Sequence, residues 1–339
     1  MIAPVPTPDP VRRSKALRAL TAATLFWALS FPVMKTLLLA QERLLPGAGS
    51  WFLTSLSVAA RFGCAGFLLL GFTGRRLNSL TRREVEQGLV LAGFGGLGIL
   101  FQMDGLSYTE ASTSAFLTQA YCVFIPVWVA LTGRRLPPLK QGVCILLVVG
   151  GVWILAGLNL QTMHLGRGEL ETLIGSLLFT GQILTLEGVR YAGNRPVMIS
   201  TVMFPAMALL CLPVVWATAP SAGACLQVFS TAAPVGLLAV LVVFCTLISY
   251  VAMNYWQPFV TSTEAGLIYC LEPVLASLLA LFFPFWLSRW AGVHYANEQL
   301  TFRLVAGGGL ITAANILLQS PWLEVARGKP PGEVVSGPA

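Results

Sequence analysis

One carboxylate lies where carboxylates are costly. Glu272 falls near the middle of the run Thr263 to Phe283, TEAGLIYCLEPVLASLLALFF, and Pro273 follows it directly. The run is apolar and long enough to cross a bilayer as a helix. A central carboxylate costs roughly 3 kcal/mol on insertion scales, and each Leu, Ile, Phe or Val returns roughly 0.3 to 0.6 kcal/mol, so the segment still inserts. Two kinds of chemistry are open to such a group. It can take up and release a proton, or meet a cation, in a water-filled cavity. Alternatively, it can cap a backbone carbonyl of Ile268 or Tyr269 that Pro273 leaves without its helical donor. At 100° per residue, Ala265, Gly266, Tyr269, Glu272, Pro273 and Ala276 share one half of the circumference, whereas Leu267, Leu271, Leu275 and Leu278 hold the other.

Arg61, about midway along a second apolar run, is the cation to set beside Glu272. It can pair with that carboxylate, hold an anionic solute group, or play a structural part with its long stem snorkelling to one face. Lys35, nearer the end of the first run, is expected to snorkel. A set of polar and aromatic residues is spread over several runs: Trp27, Ser30, Gln102, Tyr108, Gln119, Gln182, Tyr250, Asn254, Gln257 and Tyr269. These either hydrogen-bond between helices or face a shared aqueous cavity. Gln119 and Tyr269 stand out as cavity residues because they are 150 positions apart, the offset of the internal repeat described below.

Other chemistry finds little footing. His164 and His294 are isolated in loops, so no metal site is expected, and no cofactor motif is present. The clusters Gly93–Gly98, Gly150–Gly151 and Gly307–Gly309 lack the Lys-Ser/Thr of a phosphate loop, and their apolar context suits close helix packing. Seven scattered cysteines form no Cys-x-x-Cys pair and suit small packing positions. An intramembrane enzyme acting on a lipid or peptide is the rival class, yet no His-Glu-x-x-His, Gly-x-Ser-x-Gly or aspartate pair supports it.

The elements that must position these residues follow from composition. The chain has 339 residues, mean hydropathy +0.76, 56% hydrophobic and only 10% charged residues. That excludes an ordinary soluble domain and implies a polytopic membrane protein with the lipid bilayer as its main partner. The net charge of +7 does not imply nucleic acid, because the basic residues sit in short loops between apolar runs. Ten spans are expected, near 16–40, 51–72, 85–102, 111–131, 141–157, 170–189, 197–217, 233–256, 263–283 and 301–318. Disordered cytoplasmic tails are expected over 1–15 and 320–339. With the N-terminus inside, fifteen of the 21 Lys and Arg residues are cytoplasmic and only Arg43, Arg167, Arg289 and Arg303 are external; Lys35 and Arg61 lie within spans. Both termini are therefore expected in the cytoplasm, and the short loops suit a plasma (inner) membrane.

Laying Ala115 on Ala265 sets Cys122 opposite Glu272 and matches the faces of the fourth and ninth spans. Beyond them, Arg134-Arg135-Leu136 answers Glu298-Gln299-Leu300, with an insertion around 284–297. Five spans per half make the repeats, 16–157 and 158–319, inverted. The fold class is thus all-α, about ten transmembrane helices in two inverted five-helix repeats around a central cavity.

Five short motifs, in order, carry a resemblance: Phe26-Trp27-Ala28-Leu29-Ser30-Phe31, Ala60-Arg61-Phe62, Leu106-Ser107-Tyr108-Thr109, Leu271-Glu272-Pro273-Val274 and Asn297-Glu298-Gln299-Leu300. Over about 22–318 the chain resembles the EamA-type branch of the drug/metabolite transporter superfamily. The resemblance implies a carrier, expected to be an exporter, that moves a small metabolite or drug-like solute by alternating access, without being an enzyme. It adds Trp27 to Gln119, Tyr269 and Glu272 as cavity residues. Arg61 stands as charge partner, Pro273 as kink and protons as candidate coupling ion. The chain departs from the family in Gly133-Arg134-Arg135-Leu136, which replaces a carboxylate, and in the enlarged 284–297 loop.

Overall fold

The computed structural model of the chain describes residues 10–132, 139–155, 165–186, 189–260 and 268–319. Helices α1 (Pro10–Leu44), α2 (Ser50–Thr73) and α3 (Arg82–Gly105) come first, followed by α4 (Ala111–Thr118), α5 (Tyr121–Thr132) and α6 (Leu139–Leu155). The second half holds α7 (Arg167–Leu186), α8 (Pro196–Thr218), the short α9 (Ala224–Gln227), α10 (Ala232–Val242) and α11 (Ser249–Trp256). It ends with α12 (Leu271–Ala280), α13 (Phe283–Ala291) and α14 (Phe302–Gln319). Among the described residues there is no strand.

Within the described residues each expected span overlaps one of these helices or a consecutive pair, while parts of three spans, 156–157, 187–188 and 263–267, lie outside them. Among the described residues, five stretches are both long and apolar enough to cross a membrane: α1, α2, α3, α8 and Ala232–Met253. The bent pair α12 and α13 would make a sixth, while α4 with α5, α6 and α14 are shorter apolar helices. The start of α7 carries Arg167 and Glu169 in its first turn and Glu171 in the next, which sets it apart from the purely apolar helices.

Two expectations need correction. The tail expected over 1–15 is helical from Pro10 onward, because proline is well suited to a helix start and Arg12, Arg13 and Lys15 extend the first span into solvent. The rest of that tail, and 320–339, lie outside the described residues, as does the 133–136 motif. The 284–297 insertion is not a plain loop. It begins with α13, which turns 57° away from α12.

Packing is set by small residues where helices run closest. Pro205 of α8 lies against Gly66 of α2, where an added Cβ would sit 2.8 Å from the ring. Along the α3 and α7 contact, Gly98 accommodates Phe179, and Gly175 approaches the Gly98 carbonyl, with hypothetical Cβ distances of 2.6 and 2.8 Å. Gly151 of α6 and Gly307 of α14 meet in the same way. The α1 helix packs against α10, α11 and α12, and α12 against α4. A buried core of Phe31, Phe52, Phe62 and Phe204 joins α1, α2 and α8, and a second cluster joins α4, α6 and α14.

The two ends of the bundle are tied differently. At the end holding residues 74–81 and 189–195, Thr81 and Glu84 form a capping box at the start of α3. Arg195 clamps the same Glu84 carboxylate at 2.7 Å. The opposite end holds residues 45–49, 106–110 and 292–301.

Candidate functional site

Helices α4 and α5 are separated by a turn at Gln119 and Ala120, where the amides bond three residues back to Phe116 and Leu117. In the second half the chain is helical at Ile268 and Tyr269, turns at Cys270 and resumes as α12 at Leu271. Positions 120 and 270 are related by the 150-residue offset, so both helices break at the same repeat position. In the second copy the break has a local cause, since Pro273 in the first turn of α12 has no N–H to continue the preceding helix. Pro273 therefore sits just inside a helix start and not within a continuous kinked span.

Glu272, in that first turn, lines a cavity of ≈ 220 Å³ together with Trp27, Arg61, Gln182, Tyr250 and Tyr269. The aromatic wall is continuous, with Trp27 at 5.9 Å from Tyr250 and 5.7 Å from Tyr269 between ring centroids. Phe204 backs Tyr250 at 5.4 Å. The Tyr269 hydroxyl donates to Gln257 Oε1 at 3.0 Å, which aims its ring at the cavity. Gln182 reaches it over Gly95, whose missing Cβ would lie 2.8 Å from the amide nitrogen.

Arg61 is 4% exposed and neither snorkels nor pairs with Glu272. Its Nε donates to Thr246 Oγ1 at 2.8 Å and its Nη2 to the Cys245 carbonyl at 3.1 Å. Both acceptors belong to a π turn, Val243–Ile248, between α10 and α11. The wider turn is further bridged by Thr246 to Leu241 O and Ser249 to Phe244 O, each five residues back. Sequence reading missed this turn because nothing in an apolar run distinguishes π from α winding.

The remaining expected residues divide. Ser30 and Gln102 also line the cavity, and Gln102 Nε2 donates to Thr118 Oγ1 at 2.8 Å. Gln119 is 1% exposed and lies behind the wall, where its neighbours Thr118 and Tyr121 take the lining positions; this corrects its expected place. Tyr108 is far from the cavity, under the Arg167 guanidinium at 4.1 Å from its ring centroid. Lys35 bonds to the Thr109 carbonyl and faces the Tyr295 ring at 5.8 Å, instead of extending to water. The side chains of Asn254 and Cys122 lie outside the described residues.

The cavity is unequally closed. Gln182, Leu186, Tyr250 and Met253 also border a groove of ≈ 250 Å³ that runs past Tyr191 and Asn194 at the 74–81 end. The other end is tied by polar contacts. Glu298 accepts from the amides of Ala111 and Ser112 at 2.7 and 3.2 Å, and Arg167 joins Asp104, Glu171, Tyr108 and Ser50. The chemistry on offer is a carboxylate, a buried cation and an aromatic wall, around a space fit for a small organic solute.

Residues 15–157 match the EamA-like transporter family. An uncharacterized transporter of Archaeoglobus fulgidus is 25% identical over 272 residues, which cover 80% of this chain and 79% of that protein. A solved crystal structure superposes over 90% of this chain and 96% of its own, with a TM-score of 0.55 at 15% identity, a likeness of fold.

Proposed function

We propose, from the match of residues 15–157 to the EamA-like transporter family, that this chain is a secondary carrier exporting a small metabolite or drug-like solute across the plasma membrane. The observation that carries this reading is the cavity at the paired helix breaks, which holds Glu272 and shares lining residues with a groove at the 74–81 end. Carriers built from repeats place their sites at such broken helices and expose them to each side in turn.

The packing supports an inverted ten-helix arrangement. α3 lies on α7, and its repeat counterpart α10 to α11 lies on α1, the counterpart of α7. α2 meets α8, α4 meets α12 and α6 meets α14, each pair made of repeat equivalents, as a two-fold relation requires. With the basic loops inside, both termini are cytoplasmic and the groove at the 74–81 end faces the cytoplasm. Glu272 is read as the proton-exchanging group, since it lines the cavity and forms no ion pair among the described residues.

Sealed vesicles test this directly. The parent protein should accumulate an unmodified solute; its chemical conversion would instead identify an enzyme. Glu272→Gln keeps size and hydrogen bonding but cannot titrate, so initial rates should fall and lose their dependence on pH. Full activity with an unchanged pH profile, at matched amounts of folded protein, would leave Glu272 as a structural residue.

A further inference from the structure

Four arginines occupy the 45–49 and 292–301 end, the side that the charge bias otherwise leaves poor in cations. Two of them have carboxylates to meet. Arg167 pairs with Asp104 and Glu171, and Arg303 borders a cavity shared with Glu110 and Glu298. Arg43 and Arg289 differ, because both line one cavity of ≈ 420 Å³ between the end of α1, the start of α10 and α13, and no carboxylate is among its lining residues. Arg43 Nη1 donates to the Gly292 carbonyl, and Gly292 closes α13 in the left-handed region at φ 66°. Arg289 stands 5.7 Å from the centroid of Phe285. Two guanidiniums sharing a cavity free of carboxylates call for an anionic group rich in acceptor oxygens.

The rim says which anion. Trp290, 53% exposed, lines this cavity, and Trp286, four residues earlier on the same helical face, and Phe282, at the N-cap eight residues earlier, are 67% and 64% exposed. This surface is held firmly. Trp290 is seated over Gly236, where a Cβ would lie 2.5 Å from the ring, Asn297 Oδ1 accepts the Phe285 amide, and Ser288 Oγ donates to the Tyr295 carbonyl. A soluble anion gains nothing from an apolar rim, whereas a phospholipid presents a phosphate directly above acyl chain. Aromatic rings at headgroup depth with arginine on the phosphate match that profile.

We infer that α13, with Arg43, forms a binding site for the phosphodiester headgroup of a membrane phospholipid, the cavity receiving the phosphate while Phe282, Trp286 and Trp290 lie along the chains. The site rests on membrane embedding and is independent of what is transported.

Native mass spectrometry of the full chain in detergent, titrated separately with phosphatidylglycerol, diacylglycerol and inorganic phosphate, tests it. The parent should retain one phosphatidylglycerol, and Arg43→Gln with Arg289→Gln should weaken retention by about tenfold or more, as expected for losing charge-assisted hydrogen bonds. Diacylglycerol should not be retained, and millimolar phosphate should not displace the lipid. Undiminished retention in the double variant, equal retention of diacylglycerol, or displacement by phosphate would each overturn the assignment. Arg289→Gln alone keeps the test open if the double variant does not fold, since its guanidinium makes no hydrogen bond among the described residues.

Discussion

Arg61 illustrates how a membrane-buried charge is accommodated without an ion pair among the described residues. A π turn widens the backbone ring, so its carbonyls tilt outward and can accept from a side chain on a neighbouring helix. Arg61 uses two separate nitrogens on that turn, at Thr246 and Cys245, and the turn in turn sets the rotation of α11, which presents Tyr250 and Met253 to the cavity. Removing the cation should therefore disturb the cavity wall from a distance. Arg61→Met is expected to cost about 2–3 kcal/mol, and Thr246→Val about half of that. A double-mutant cycle by thermal unfolding in detergent should give a coupling of about 1–2 kcal/mol, with transport lowered in both single variants. Additive effects would mean that the guanidinium does not act through the turn.

Helix spacing depends on glycines that the sequence displays in clusters but does not rank. Within Gly93–Gly98, an added Cβ at Gly98 would strike Phe179 at 2.6 Å, while one at Gly93 would meet nothing within 4 Å. At Gly151 the obstacles are Ile311 at 2.6 Å and the Gly307 carbonyl at 2.7 Å, and that backbone cannot swing aside. Gly309, two residues on, is open. Gly151→Ala is thus expected to destabilise the α6 and α14 pair by about 1–3 kcal/mol. Gly93→Ala and Gly309→Ala should be neutral or stabilising by up to about 1 kcal/mol, since alanine is the better helix former. Melting temperatures of the purified variants would check the ranking, and a large loss at Gly93 or Gly309 would contradict the packing described.

At the scale of the whole molecule, one end is tied by a contact between its halves. Glu298, just before α14, accepts from the first amides of α4 and caps that helix start. Burial, with the Glu110 carboxylate close by, holds the Glu298 carboxyl above the usual range, and Lys35 and Tyr295 also face it. Opening this end would return Glu298 to water and to an ordinary value, so closure takes up a proton. The proton-linked part of closure is complete below the ordinary carboxylate range and is lost as pH rises through the raised value. Labelling of Tyr269→Cys by an impermeant maleimide, with the native cysteines replaced, should therefore increase with pH across that window. Glu298→Gln should flatten this dependence, and Glu298→Ala should raise labelling several-fold by leaving two helix-start amides uncapped. A pH-dependent profile surviving in Glu298→Gln would assign the effect to another group.

The positions of the helices were legible in the amino-acid order, because a bilayer requires each backbone polar group to be satisfied within its own segment, and apolar runs record where that happens. That Glu272 and Tyr269 share a face of small residues was readable from the 100° spacing, whereas Trp27 was expected only from the motif that carries the resemblance; all three line one cavity. Rotation and partner were not. Gln119 shares a repeat position with Tyr269, yet a two-residue turn swings it behind the wall. Lys35 and Arg61 have stems that can reach water, but their heads bond to the Thr109 carbonyl and the π turn, acceptors supplied by distant segments. The helix Phe283–Ala291 was hidden by its brevity, and its aromatic face lies beside Arg43, which bonds to Gly292 from 249 residues away. Hydropathy is a property of a segment and survives in sequence. Which side of a helix meets which neighbour is a property of pairs of segments, and only the tertiary structure decides it.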